Sequence, residues 1–155
     1  MGSSSSSVYC AEMQNHIDEE IRRITIHSCN LVPDNYSWFI SIIVYILTLG
    51  QAPPLEHHWL IIQTNDYYYT AQIIMEDIHV SRHNNAREAC NAGLNACNKS
   101  RKLHYQIMRS CASNITSKKI AHVQFFINYK YKKYFNLITH NCQHFVAALY
   151  DYLDL

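Results

Sequence analysis

The chain reads as α+β, a small antiparallel sheet packed against helices, and three observations point there. Two runs rich in β-branched and aromatic residues, Glu56 to Gln63 and Tyr67 to Ile74, flank the turn-like Thr64-Asn65-Asp66 and form a β-hairpin. Cys142, Phe145, Val146, Leu149 and Leu153 recur at i, i+3, i+4, i+7 and i+11, the apolar stripe of an amphipathic helix. A chain of 155 residues, 48% hydrophobic and 16% charged, suffices for one core and is too apolar for a disordered one.

From the amino terminus, residues 1–10 are expected to be a flexible tail and 11–155 a single domain. Within it, 11–54 form a helical and apolar extension and 55–153 the core. Met1 to Ser6 matches the pattern for myristoylation of Gly2, and Cys10 is placed for a second lipid. One acyl chain binds a membrane only marginally, so stable peripheral contact would need both. The same serine run also fits an ordinary low-complexity tail.

Ala11 to Ser28 is predicted helical, with Met13, Ile17, Ile21 and Ile24 on one side and Asp18–Arg22 and Glu19–Arg23 as i, i+4 pairs. Tyr36 to Leu49 is the most apolar stretch. As a helix it would span ~21 Å, short of the ~30 Å hydrocarbon core, so it fits a buried strand or core helix better than a membrane span. An interfacial segment is the alternative.

In the hairpin, a loop of Thr64 to Asp66 pairs Gln63 with Tyr67 and sets Gln72 across from His58 on the same face. A change of one residue in loop length would bring His57 into play instead. Asn84 to Ser100 carries a helical stripe of small residues, Ala86, Ala89, Cys90, Gly93, Leu94 and Cys97. Ile120 to Tyr129 alternates, with Val123, Phe125 and Ile127 opposite His122, Gln124 and Asn128, the pattern of a half-buried strand. The last helix begins at Cys142, with Asn141 as a preferred N-cap, Cys142 facing inward and His144 outward.

Composition narrows the chemistry. A net charge of +1 gives no general reason to expect nucleic acid. The short run Lys130-Tyr131-Lys132-Lys133-Tyr134 reads as a solvated connection, or as a positive rim for anionic headgroups or an acidic partner. With only three glycines there is no phosphate-cradling loop, and no cofactor is expected. The six cysteines show no Cys-X-X-Cys spacing and no secretory signal precedes them, so reduced thiols in the cytoplasm are expected, with membrane association only through an N-terminal lipid. Cys90 and Cys97 would lie ~10 Å apart along a helix, beyond the ~7 Å reach of a disulfide. His83 and His104 lack metal-ligand spacing, and no metal site is expected.

The candidate chemistry centres on Cys142. A thiol at a helix start meets unsatisfied N–H groups and the positive dipole end, which favour thiolate below the usual pKa of ~8.5. Ordinary core packing of a cysteine is the competing reading. A nucleophile needs a base, and the base needs a group that orients it. His58 as base, with Gln72 or Thr70 behind it, would meet that requirement, and His57 is the alternative base. Backbone N–H groups at Asn141 to Gln143 would hold an oxyanion.

At these residues the chain resembles circularly permuted papain-like proteins. His58-Trp59 opens a hydrophobic strand, a polar residue follows on the next strand, and Asn141-Cys142-Gln143-His144-Phe145-Val146 starts a helix. This pattern is most similar to lecithin:retinol acyltransferase-like domains, relatives of NlpC/P60 enzymes, in which histidine precedes cysteine along the chain. The resemblance spans roughly residues 55–153 and is sharp at two short patches. It implies that His58 is the general base and Cys142 the acyl-accepting nucleophile, acting on lipid acyl esters or, alternatively, on peptide or ubiquitin-like conjugates. The family's usual second histidine on the following strand is absent, and Thr70 and Gln72 stand in that stretch. Glutamine can accept from a ring N–H but cannot neutralise imidazolium. A non-catalytic binding module, with the twelve tyrosines including Tyr67, Tyr68 and Tyr69 as a recognition surface, is the reading from a different class.

Overall fold

The strand Glu56–Gln63 forms where the hairpin pattern places it, and the sheet grows outward from it on both sides. The computed structural model describes residues 11–30, 42, 43, 46, 49–50, 56–74, 77–97, 105–112, 117–131 and 141–154. In chain order the elements are α1 (Ala11–Gln14), β1 (Arg23–Asn30), β2 (Glu56–Gln63), β3 (Tyr68–Ile74) and β4 (Asp77–His83). Then follow α2 (Ala86–Cys97), β5 (Tyr105–Ala112), α3 (Ile120–Phe125), a π-helical turn (Phe126–Lys130) and α4 (Cys142–Asp154). The expected α+β class holds. The described strands make one five-stranded sheet in the order β4-β3-β2-β1-β5, and every pairing is antiparallel.

Successive side chains of a strand point to opposite faces, and here each face is covered by a different helix. Even-numbered positions of the two central strands, Ile24 and Ile26 on β1 and Leu60 and Ile62 on β2, join Tyr69, Ala71 and Ile73 of β3 beneath Phe145, Val146, Leu149 and Leu153 of α4. Ile120, Val123 and Ile127 complete that core. On the other face, Cys29, Trp59 and Ile61 pack against Ala89 of α2, with Leu94 alongside. At Gly93 an added Cβ would lie 2.4 Å from the Trp59 ring, so only glycine lets α2 sit this close.

Four expectations need correction. The helix predicted for Ala11 to Ser28 ends at Gln14, and Arg23–Asn30 is a strand. Ile24-Thr25-Ile26 alternates with period two as well as fitting a helix, and pairing on both edges of β1 decides between the two. The strand predicted for Ile120 to Tyr129 is helical. Its buried residues Ile120, Val123 and Ile127 recur at i, i+3 and i+7, whereas Phe125, which alternation places inside, is 45% exposed. The backbone N–H of Lys119 donates to Nδ1 of His122 at 2.9 Å and fixes the helix start.

The third correction concerns the hairpin, which closes more tightly than expected. Thr64 N–H donates to Tyr67 C=O at 2.9 Å, leaving Asn65 and Asp66 at the tip, so Gln63 pairs with Tyr68 and Trp59 with Gln72. The Thr64 hydroxyl accepts from Tyr67 N–H at 3.0 Å and holds the turn in this form. Fourth, Cys29 is disulfide-bonded to a cysteine outside the described side chains, so the reduced state expected throughout does not hold there. Folding brings sulfurs together that linear spacing keeps apart.

The strands Asp77–His83 and Tyr105–Ala112 had no sequence-based expectation. In the apolar stretch before the hairpin, the described residues Ile42, Ile43 and Ile46 are helical and exposed rather than buried. No helix among the described residues is long and apolar enough to cross a membrane. The lipidation candidates Gly2 and Cys10, the 1–10 tail, and most of the basic run after Tyr131 lie outside the described residues.

Candidate active site

Two neighbouring histidines on β2 face opposite ways, and this divides the expected constellation. His58 shares the α4 face with Cys142; His57 shares the α2 face with Gln72. The His57 ring nitrogen Nε2 lies 2.8 Å from Oε1 of Gln72, whose Nε2 donates to the Ala92 carbonyl at 3.4 Å. Thr70 donates to the Ala89 carbonyl at 2.8 Å. Both polar residues of β3 therefore tie α2 to the sheet and do not reach His58. The one-residue shift at the turn produces this, exchanging the Gln72–His58 neighbourhood for Gln72–His57. Burial lowers the His57 pKa, the Gln72 hydrogen bond opposes that, and the charge of His58 adds to it.

Cys142 heads α4 as expected, and its free thiol is half-buried against the large core. Asn141, itself buried, caps the helix: its Oδ1 accepts from the backbone N–H of Gln143 at 3.0 Å and of His144 at 3.2 Å. The same oxygen lies 2.8 Å from Nδ1 of the exposed His144. The Cys142 Sγ donates to the Glu56 carbonyl at 3.6 Å, and Nε2 of Gln143 donates to that same carbonyl at 3.5 Å. The sulfur also receives the backbone N–H groups of His58, Gln143 and Cys142. These donors favour thiolate, yet burial is the larger effect, and the Cys142 pKa lies above its ordinary value.

All of these partners of the sulfur among the described residues are backbone groups. The His58 imidazole is turned to Glu56 instead, its Nε2 3.0 Å from Oε2 in a largely buried pair. Glu56 was not among the expected site residues. The signal for it was parity, since two residues apart on one strand means the same face. It gives His58 a carboxylate neighbour on its own strand face.

Tyr131 closes the site from the segment after the π-helical turn. Its ring meets Phe145 edge-on at 5.1 Å, and its buried hydroxyl has no hydrogen-bond partner among the described groups. Burial, and secondarily the charge of the nearby Cys142 thiolate, push the Tyr131 pKa up to about 12, so the phenol keeps its proton and remains a donor. No cluster of His, Cys, Asp or Glu among the described residues could hold a metal ion.

No family model, curated protein or solved structure matches this chain. The arrangement therefore stands on its own geometry. A thiol lies at a helix start amid N–H donors, beside a strand carrying a His–carboxylate pair.

Proposed function

We propose that the protein is a cysteine-dependent acyl hydrolase or acyltransferase on a permuted papain-like fold. Cys142 is the nucleophile, His58 the base, and Glu56 the group that orients and neutralises the base. The observation carrying this reading is the setting of the Cys142 sulfur, which receives the backbone N–H groups of Cys142 and Gln143 at the α4 start and of His58 on β2, and packs against the strand that holds the Glu56–His58 pair. In substrate-free sites catalytic hydrogen bonds are often long and tighten in the complex. On substrate binding the His58 ring takes the thiol proton, the sulfur attacks an ester or amide carbonyl, and the N–H groups at the helix start hold the oxyanion. A thioacyl-enzyme results, resolved by water in hydrolysis or by an amine or alcohol in transfer.

Lipid acyl esters are the preferred substrate class. They suit an apolar site walled by Phe145 and Tyr131, and the exposed Ile42, Ile43, Ile46 and Leu49 offer apolar surface for peripheral membrane contact. A peptide or ubiquitin-like conjugate is the alternative substrate. The competing reading is a binding module without catalysis. It is favoured by the raised Cys142 pKa and by the absence of an imidazole from the partners of the sulfur.

The deciding experiment is the pH dependence of Cys142 alkylation by iodoacetamide, followed by peptide mapping in the parent, His58→Ala and Glu56→Gln proteins. The enzyme reading expects an apparent pKa below ~8.5 that rises in both variants. A normal or raised pKa, unmoved by either substitution, makes Cys142 a core residue and moves the binding-module reading to first place.

A further inference from the structure

A net charge of +1 hides a strong segregation of charge along the chain. Residues 89–150 hold nine of the thirteen Lys and Arg side chains and none of the twelve Asp and Glu. One-sided segments of this kind mark contact with a polyanion or an anionic surface. Within the segment, α3 and the π-helical turn present two large aromatic side chains to solvent. Phe125 is 45% and Tyr129 76% exposed, and their ring centroids lie 5.2 Å apart. Lys130, also exposed, follows Tyr129 directly. We propose that this outward face, Phe125, Tyr129 and Lys130 with Lys118 nearby, docks the protein on an anionic lipid surface.

The turn itself exposes the rings. Tyr131 N–H donates to the Phe126 carbonyl at 2.9 Å, an i→i+5 bond. The widened turn keeps Phe126 and Ile127 in the core, while Phe125 and Tyr129, four residues apart, share the solvent side. A second lysine is linked to this element by ring contacts: Nζ of Lys118 lies 5.4 Å over the Tyr152 ring, which meets Phe126 at 5.2 Å. Lys119 is set aside, because Oδ1 of Asp18 lies 3.7 Å from its Nζ. Exposed rings beside lysine have the composition of an interfacial anchor. The rings enter the boundary between headgroups and acyl chains, and the ammonium groups stay with the phosphates.

Two observations select lipid over nucleic acid. The Phe125 and Tyr129 rings lean on each other at 42°, forming one apolar wedge rather than two open faces for stacked bases. Residues 35–55 carry no Asp, Glu, Lys or Arg, and Ile42, Ile43, Ile46 and Leu49 within them are exposed. Apolar surface of that kind gains from an acyl layer and little from a phosphodiester chain. The docking face requires no chemistry at Cys142.

The test uses the full chain without N-terminal acylation, sedimented with phosphatidylcholine vesicles and with vesicles containing about one-third phosphatidylserine. A single-stranded oligonucleotide is titrated in parallel. We expect at least about tenfold stronger partitioning to the anionic vesicles, weakened by high salt. Lys130→Gln should weaken it about fivefold. Phe125→Ser combined with Tyr129→Ser should weaken it at least about tenfold while leaving the salt dependence in place. In Tyr129→Trp the indole emission should shift to the blue when anionic vesicles are added. All three positions are exposed, so these variants are expected to fold, which thermal unfolding checks. No binding to the anionic vesicles, equal binding to both kinds, or binding that survives the lysine and aromatic substitutions would overturn the proposal. So would tighter binding to the oligonucleotide than to the anionic vesicles. Partitioning is read without turnover, so its outcome is separate from that of the Cys142 reading.

Discussion

On the α4 face of the sheet the contacts are large and apolar, with Phe145, Leu149 and Leu60 fully buried against one another. On the α2 face they are small and polar. Gly93 admits Trp59, Thr70 and Gln72 bond to helix carbonyls, and two histidines flank the Trp59 ring at 5.6 and 5.8 Å. One strand, β2, feeds both faces through alternate residues. The contrast teaches that the two helices are held by different forces, area on one side and fit with hydrogen bonding on the other, and that each leaves its own thiol in its own environment.

Four measurements sharpen or break that contrast. Phe145→Ala should have the largest effect, a loss of about 3–5 kcal/mol in urea denaturation, because it opens a cavity in the main core. A loss below about 1 kcal/mol would mean that α4 is not the principal packing helix.

Next comes acid. The unfolded His27 binds a proton below about 6.5, while the folded ring stays neutral until about pH 4. The stability tied to its neutral form is thus complete above pH 6.5 and is lost as pH falls toward 4, by ~2 kcal/mol. His57, whose pKa is also lowered, adds in the same direction. His27→Gln should flatten the slope of unfolding free energy against pH in that window, and an unchanged slope would remove the buried imidazole from the account.

Gly93→Ala should destabilise by ~1–2 kcal/mol although alanine is the better helix former, since its Cβ would meet a buried, rigid indole. A stabilised Gly93→Ala protein would show that α2 is seated more loosely than Trp59 implies. The smallest effect is that of Asn141→Ala, about 1 kcal/mol from loss of the cap at α4. A midpoint unchanged in thermal unfolding would show that solvent caps the helix equally well.

Much of this arrangement was legible in the sequence where a signal was local and single-valued. The strand Glu56–Gln63, the helix from Ala86, the Asn141 cap and the outward turn of His144 follow from period and propensity alone. Where two periods fitted the same residues, as at Ile21 to Ile26 and Ile120 to Ile127, the local pattern did not decide, and the partner surface did. The candidate site failed on a finer scale. A turn shorter by one residue moved Gln72 from His58 to His57, while Glu56 was legible only through its parity with His58, and the approach of His27 to Cys90, 3.8 Å between Nδ1 and Sγ, depends on a long-range pairing that no local pattern encodes.

The sheet order also bears on how the molecule assembles. β2, β3 and β4 form a meander of neighbours in sequence, whereas β1 docks between β2 and β5 across long intervening segments. Closing long loops is the entropically costly, slow part of folding. The meander should therefore acquire amide protection first and the β1 ladder last. His27, whose Nδ1 lies 3.8 Å from the Cys90 sulfur, arrives only with β1, so the Cys90 thiol spends the early folding period without that neighbour. Alkylation pulses during refolding should find Cys90 changing reactivity after the β2–β3 amides are already protected.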